Sequence, residues 1–169
     1  MNGDDRSDST AVETGRTADP GTPSTPPELM AAPGYLVRRL YQAYIAVWAQ
    51  TVDATLTGPQ FAVLTAIRHY PGVDQGSLAS VTALDRSTMA DISRRLEDRG
   101  LIRRETSPTD TRRKLLHLTE HGATVLTETN HRARELDERL LAGYPPEARE
   151  QLMNQLTRLA HDWEDLSQR

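Results

Sequence analysis

Apolar residues recur at helical spacing over six stretches of the chain and crowd into two short runs between them. This pattern predicts six helices and one β-hairpin, in the order four helices, hairpin, two helices. The stretch "GYLVRRLYQAYIAVW" places Leu36, Val37, Leu40, Tyr41, Tyr44, Ile45, Val47 and Trp48 in a helix of about 35–54, interrupted by the adjacent Arg38 and Arg39. In "TLTGPQF", Thr57 is an N-cap and Gln60 completes a capping box. Leu56 and Phe61 sit at the staple positions, and Pro59 lies in the first turn, where its missing N–H costs nothing. That helix runs to about Tyr70, where "YPG" stops it. Asp74 caps a short helix with Leu78, Ala79 and Val81 on its inner side. Asp85 caps the next, "RSTMADISRRLEDRG", and Gly100 ends it. "LIRRET" and "RKLLHL" read as strands joined by the turn formers of "SPTDTR". Thr119 and Gly122 open a long helix to about Leu141, which "GYPPE" breaks. A last helix, about 146–167, carries Leu152, Leu156, Leu159, Trp163 and Leu166 along one side.

Composition narrows the function classes. The 169 residues are 37% hydrophobic, enough for one core, and the mean hydropathy is −0.61. No run of 18 apolar residues exists, so no membrane span is expected. The N-terminus lacks the basic and apolar regions of a signal peptide, so a cytoplasmic location is expected. The absence of cysteine excludes disulfides, thiolate catalysis and zinc fingers. Residues 1–33 are rich in Ser, Thr, Pro, Gly and Asp and are expected to form a disordered tail. The formal net charge of −4 argues against nucleic acid, but its distribution does not: residues 85–114 alone carry +3, with eight arginines and one lysine.

That basic window coincides with two helices joined by the short connection "TALD" and followed at once by the hairpin, which is a winged helix-turn-helix arrangement. On a helical wheel Met89, Ile92 and Leu96 share one face. Ser87, Asp91 and Arg94 point the opposite way, with Thr88 and Arg95 on a flank. Such a helix suits a DNA major groove, since arginine can bond guanine bidentately and hydroxyls can reach bases or phosphates. The hairpin tip adds Arg112, Arg113 and Lys114. Taken singly, each arginine could equally be part of a solvated face. No HExxH, P-loop, GxGxxG or nucleophile elbow is present and the five histidines do not cluster, so no catalytic residue, metal or cofactor is expected, and the chain does not read as an enzyme.

The run "RSTMADISRRLEDRGLI", the D-x-R of Asp110 and Arg112, and "LTEHG" after the second strand together resemble the MarR family, the multiple-antibiotic-resistance type of transcriptional regulator. The resemblance covers about residues 34–169. It implies a mostly α fold with a small β-hairpin wing. It implies a DNA-binding lobe of about 57–118 and dimerisation helices of about 35–54 and 125–168. It further implies a homodimer on a double-stranded operator, with the fourth helix in the major groove, Arg112 entering the minor groove and Asp110 holding the wing. The family's interface would use Leu36, Leu40, Leu152, Leu156 and Trp163; read without the family, the residues of the last helix could equally be intrachain core. A two-fold dimer implies a pseudo-palindrome with half-sites roughly 10 base pairs apart.

"PGYLVRRLYQAY" also resembles the first helix of family members that respond to aromatic acids. There the first of two arginines meets the ligand carboxylate, and a polar ring follows six residues later, here Arg38 and Tyr44. Those members carry histidine where this chain has Tyr44. Tyr41 and Trp48 supply further flat faces for a ring. The mechanism expected is repression by the ligand-free dimer, with a small aromatic carboxylate favouring a spacing of the two recognition helices that no longer fits the operator. The alternative is a constitutive DNA-binding protein without an effector.

Overall fold

Residues 23–167 are described by a computed structural model. Among them are seven helices and two strands: α1 (Pro27–Met30), α2 (Pro33–Thr51), α3 (Gly58–His69), α4 (Gln75–Val81), α5 (Arg86–Asp98), β1 (Ile102–Thr106), β2 (Lys114–Leu118), α6 (Glu120–Leu140) and α7 (Pro146–Ser167). The expected six helices and the hairpin are all present. The seventh is the single turn α1, which lies in the span expected to be a disordered tail; its proline-led first turn needs no N–H donor there. Residues 1–22, the rest of that expected tail, lie outside the described residues. Two compact units are distinguishable, one ending at Leu40 and one beginning at Tyr41.

Local chemistry sets the helix ends. Thr57 accepts from the Gln60 backbone N–H while the Gln60 side chain accepts from the Thr57 N–H, the reciprocal cap read from the sequence. Asp74, Asp85 and Thr119 cap α4, α5 and α6 through their side chains. Gly100 follows α5 with φ +66°, a conformation that a side chain would strain. Helix α2 ends at Thr51, short of the expected 54. The Asp53 carboxylate accepts the backbone N–H groups of Thr55 and Leu56 at 2.6 and 2.8 Å and bends the chain out of the helix.

The main core joins Leu56, Val63, Leu64 and Ile67 below to Leu78, Met89, Leu96, Leu101, Ile102, Leu116 and Leu126 around them. The face expected of α5 is the buried one: Met89, Ile92 and Leu96 all point inward. Val81 departs from expectation. It was placed with Leu78 and Ala79 inside, yet it is 60% exposed, because it falls in the last turn of α4 where no element covers it. A second cluster packs Trp48 and Val52 against Ala133 and Leu136 of α6, with Tyr44, Val47 and Phe61 alongside.

Strands β1 and β2 pair antiparallel, from Ile102 opposite Leu118 to Thr106 opposite Lys114. The segment before α4 runs beside β2: Leu116 N–H donates to the Val73 carbonyl at 3.1 Å, and Gly72 N–H donates to Leu116 at 2.9 Å. The end of α5, the start of β1 and the cap of α6 meet at Leu101. Its N–H donates to Leu96 of α5 and its carbonyl accepts from Thr119, the cap of α6. Gly122 lies so close that a methyl group there would run into the Leu101 carbonyl oxygen. This accounts for the glycine of "LTEHG". On helix propensity alone Gly122→Ala would stabilise α6 by about 1 kcal/mol. The close approach reverses the sign, and a loss of about 1–3 kcal/mol is expected in chemical denaturation.

Candidate nucleic-acid interface and ligand cleft

Helix α5 presents a polar face whose members are not free in equal measure. The Asp85 carboxylate accepts the Thr88 N–H at 2.9 Å and both the Ser87 and Thr88 hydroxyls. These bonds hold the Asp85 carboxyl well below the usual carboxylate range, the Ser87 hydroxyl contributing most. The sequence expects the Ser87 and Thr88 hydroxyls to reach bases or phosphates. Their protons are committed to Asp85 instead, so towards DNA they offer lone pairs and a methyl group. Asp91 accepts from Arg94 at 2.6 Å and from Arg95 at 3.3 Å. It therefore acts on the two arginines, aligning them on the exposed face, and the Arg94 contact lowers its own pKa. Arg94 and Asp91 are 60% and 51% exposed, a setting in which solvent screens an ion pair and lets it yield readily to a phosphate or a guanine.

The wing is braced from two sides. Arg104 of β1 donates through Nε to Glu97 of α5 at 2.6 Å, tying the hairpin to that helix. Arg113 pairs with Asp74, whose side chain is only 14% exposed and which also caps α4. Asp110 holds the tip by accepting the Arg112 backbone N–H at 3.0 Å, while the Arg113 N–H donates to the Asp110 carbonyl at 3.0 Å. The family resemblance implies that Asp110 holds the wing. In the structure the guanidinium bond goes to Asp74 instead, because the segment before α4 lies beside β2 and puts the Asp74 carboxylate next to Arg113. Arg113, expected to face DNA, is thereby a strut, and Arg112 is left without an ion pair among the described residues. Asp74 carried a signal in the sequence only as a helix cap.

A cleft of about 690 Å³ opens between α2, α3 and the end of α4, lined by Tyr44, Phe61, Ala62, Thr65, His69 and Val81 among others. The Tyr44 ring lies against Gly58 at the start of α3, where a β-carbon would come within 3.3 Å of it. Burial, then Asp137 and Tyr41, push the Tyr44 phenol above its ordinary value, so at neutral pH it is a protonated donor. Trp48 does not line the cleft as expected. It is 4% exposed, donates its indole N–H to the Leu56 carbonyl at 2.7 Å, and sits between Tyr44 and Phe61 at ring separations of 5.8 and 5.3 Å. A buried indole needs a partner for its N–H, and the chain supplies one inside the core. Tyr41 is half exposed and is not among the lining residues. In the unit ending at Leu40, the Arg38 guanidinium stacks over Tyr35 at 5.6 Å and Arg39 contacts the Met30 sulfur at 3.3 Å, so the paired arginines have different surroundings. Among the described residues no cluster of His, Asp and Glu could hold a metal ion, and no helix is long and apolar enough to cross a membrane.

Comparison with known proteins places this geometry. The family model for the MarR family matches residues 56–114. The transcriptional regulator HosA of Escherichia coli is 36% identical over 117 residues, which is 69% of this chain and 86% of HosA. The PcaV transcriptional regulator from Streptomyces coelicolor, solved in complex with its natural ligand, superposes with a TM-score of 0.77 at 34% identity, covering 83% of this chain and 98% of PcaV. BpsR of Bordetella bronchiseptica, whose DNA binding is regulated by 6-hydroxynicotinic acid, superposes at 0.69 with 30% identity, over 75% of this chain and 97% of BpsR.

The double role of Asp74 has a measurable consequence. Asparagine caps helices as well as aspartate but cannot hold Arg113 as an ion pair. Asp74→Asn should thus weaken DNA binding and lose only the ion-pair part of the stabilisation, whereas Asp74→Ala should also cost about 1 kcal/mol through the lost cap. The Arg113 contact, followed by Ser77, depresses the Asp74 pKa. A depressed folded-state value means that the stabilisation is complete above the unfolded-state pKa and lost as pH falls through the folded one. The difference in unfolding free energy between the native chain and Asp74→Ala should be full at neutral pH and shrink below about pH 4. Urea titrations across that range measure it.

Proposed function

The chain belongs to the MarR family of transcriptional regulators, and on that premise we propose that it represses transcription from a pseudo-palindromic operator until a small aromatic carboxylate releases it. The observation that carries the effector half is the cleft against Tyr44: its volume lies in the range of small-molecule sites, and Phe61, Ala62 and Val81 line it together with the polar groups of Tyr44, Thr65 and His69. An aromatic acid regulates DNA binding in BpsR, which supports the same ligand class here. The resemblance of "PGYLVRRLYQAY" assigns the carboxylate to Arg38, and a protonated Tyr44 supplies a hydrogen-bond donor to a ring substituent or carboxylate.

The acting species is a homodimer. No residue of the 22-residue α7 is buried within the chain, although Met153, Leu156, Leu159, Trp163 and Leu166 follow one another at helical spacing. An amphipathic helix of that length left uncovered calls for a second copy. Leu36 and Leu40 of α2 are likewise exposed, and Leu152 is half-buried. DNA contacts come from Arg94, Arg95 and Arg112, with Ser87 and Thr88 as acceptors, Asp91 and Asp110 as aligning groups and Arg113 as the wing's strut.

Operator binding titrated against benzoates, hydroxycinnamates and hydroxynicotinates tests the proposal. The best ligand is expected to weaken binding by about 5- to 150-fold, the range of ordinary allosteric coupling. Arg38→Ala should keep operator affinity and lose most of that response. A panel without effect would favour the constitutive DNA-binding reading, and a full response in Arg38→Ala would reassign the carboxylate.

A further inference from the structure

A hollow of about 270 Å³ lies between the first turn of α5 and the base of the wing, walled by Arg86, Arg112, Arg113, Lys114 and Asp74 over a floor that includes Met89. Asp74 offsets one of these four positive charges through its pair with Arg113, and Lys114 rests on the Thr106 hydroxyl at 2.7 Å. Among the described residues Arg86 and Arg112 have no ion pair. Arg86 is also misplaced for stability. It stands in the first turn of α5, where the partial positive end of the helix disfavours a cation. An anion in the hollow would reverse that repulsion and give both guanidiniums a partner. We propose that the hollow seats one backbone phosphate of bound DNA, with Arg86 as its principal ligand, fixing the register of α5 on the duplex. This rests on DNA binding by the chain and not on the effector.

The test is the salt dependence of binding to a random-sequence duplex. Each phosphate neutralised contributes about one unit to the slope of log affinity against log salt. Arg86→Ala and Arg86→Gln should each lower the slope by about one and weaken binding uniformly across sequences, while Arg86→Lys keeps the slope. The unfolding midpoints should stay the same or rise, since a repulsion is removed. A wild-type slope in both neutral variants overturns the assignment. So does displacement of the duplex by millimolar inorganic phosphate at constant ionic strength to the same extent from the native chain and from Arg86→Ala, which would put the phosphate contact elsewhere. Native protein that binds no duplex at all would instead overturn the DNA-binding reading beneath it.

A different observation carries a second inference, which rests on the effector reading. One wall of the cleft is Val81, Thr82 and Ala83, the end of α4 and the turn that leads to α5. Ala83 has φ +53°, a left-handed conformation uncommon for a residue with a β-carbon. The turn has no slack. Thr82 donates its hydroxyl to Leu78 at 2.7 Å, Leu84 N–H reaches back to Ala79 at 2.9 Å, and Asp85 already caps α5. We infer that a ligand in the cleft bears on this turn and re-aims the first turn of α5 within its own protomer. Relaxation of Ala83 out of the left-handed region supplies the second state that a ligand must favour.

This differs from a change in the spacing of two recognition helices, and a half-site separates the two. With 6-hydroxynicotinate and 4-hydroxybenzoate as probes, binding is followed by Trp48 fluorescence and DNA affinity is measured on the selected operator and on a duplex with one half-site. Weakening on the half-site as well as the full operator is expected. Weakening on the full operator alone overturns the inference in favour of spacing. Ala83→Gly, which adopts the turn without strain, should reduce the ratio of DNA affinities without and with saturating probe by about threefold or more, within ordinary coupling energies. An unchanged ratio counts against the turn. Failure of both probes to bind overturns the effector reading, and this inference with it.

Discussion

The winged helix depends on how closely α6 may approach Leu101. At that residue α5 has just ended, β1 is about to begin, and the cap of α6 donates to the same carbonyl that Gly122 nearly touches. Thr119 reinforces the junction by donating its hydroxyl to the Gly100 carbonyl at 2.6 Å. A side chain at position 122 would push α6 away from the hairpin and away from Leu126, which it delivers to the core. The direction of the recognition helix, the root of the wing and the long helix are therefore set at one place by main-chain geometry, and the side chains around it need only fill space.

From that junction outward, polar ties take over. Glu97 holds Arg104 and Asp74 holds Arg113, so the wing is connected to α5 on one side and to the start of α4 on the other. Burial separates these ties from the display arginines. The Asp74 side chain is largely enclosed, and its removal would leave a guanidinium poorly placed beside a helix terminus. The Asp91 pairs are solvated and exchange at little cost.

Most of the architecture was legible in the sequence because its signals are local. The capping box of α3, the side-chain caps of α4 and α5, the glycine after α5, the turn formers of the hairpin and the buried stripe Met89–Ile92–Leu96 each act locally. What escaped depends on elements that are distant in sequence. Asp74 meets Arg113 because a segment before α4 lies beside β2, a pairing across 39 positions. Trp48 was read as part of a binding surface because aromatic residues serve both cores and clefts, and only the Leu56 carbonyl, placed by the Asp53 turn, decided for the core. Val81 was read as buried from its spacing, and the end of the helix decided otherwise.

The same logic revises how the basic window should be understood. Its surplus of positive charge suggested that every arginine there is available to DNA. In the structure Arg104 and Arg113 are bound to carboxylates that hold the wing, and Arg99 donates to the Thr55 carbonyl at 2.8 Å, anchoring the end of α5 to the loop before α3. Arg94 and Arg95 share one exposed carboxylate, while Arg86 and Arg112 have no ion pair among the described residues. The acids interspersed with the arginines thus do not merely dilute a positive patch. They sort it into struts that must stay and contacts that can leave, with the depth of each carboxylate deciding which. A chain with a net charge of −4 can bind a polyanion on this principle, because Glu97 and Asp74 are occupied in holding the wing while Arg86 and Arg112 stay without an ion pair among the described residues.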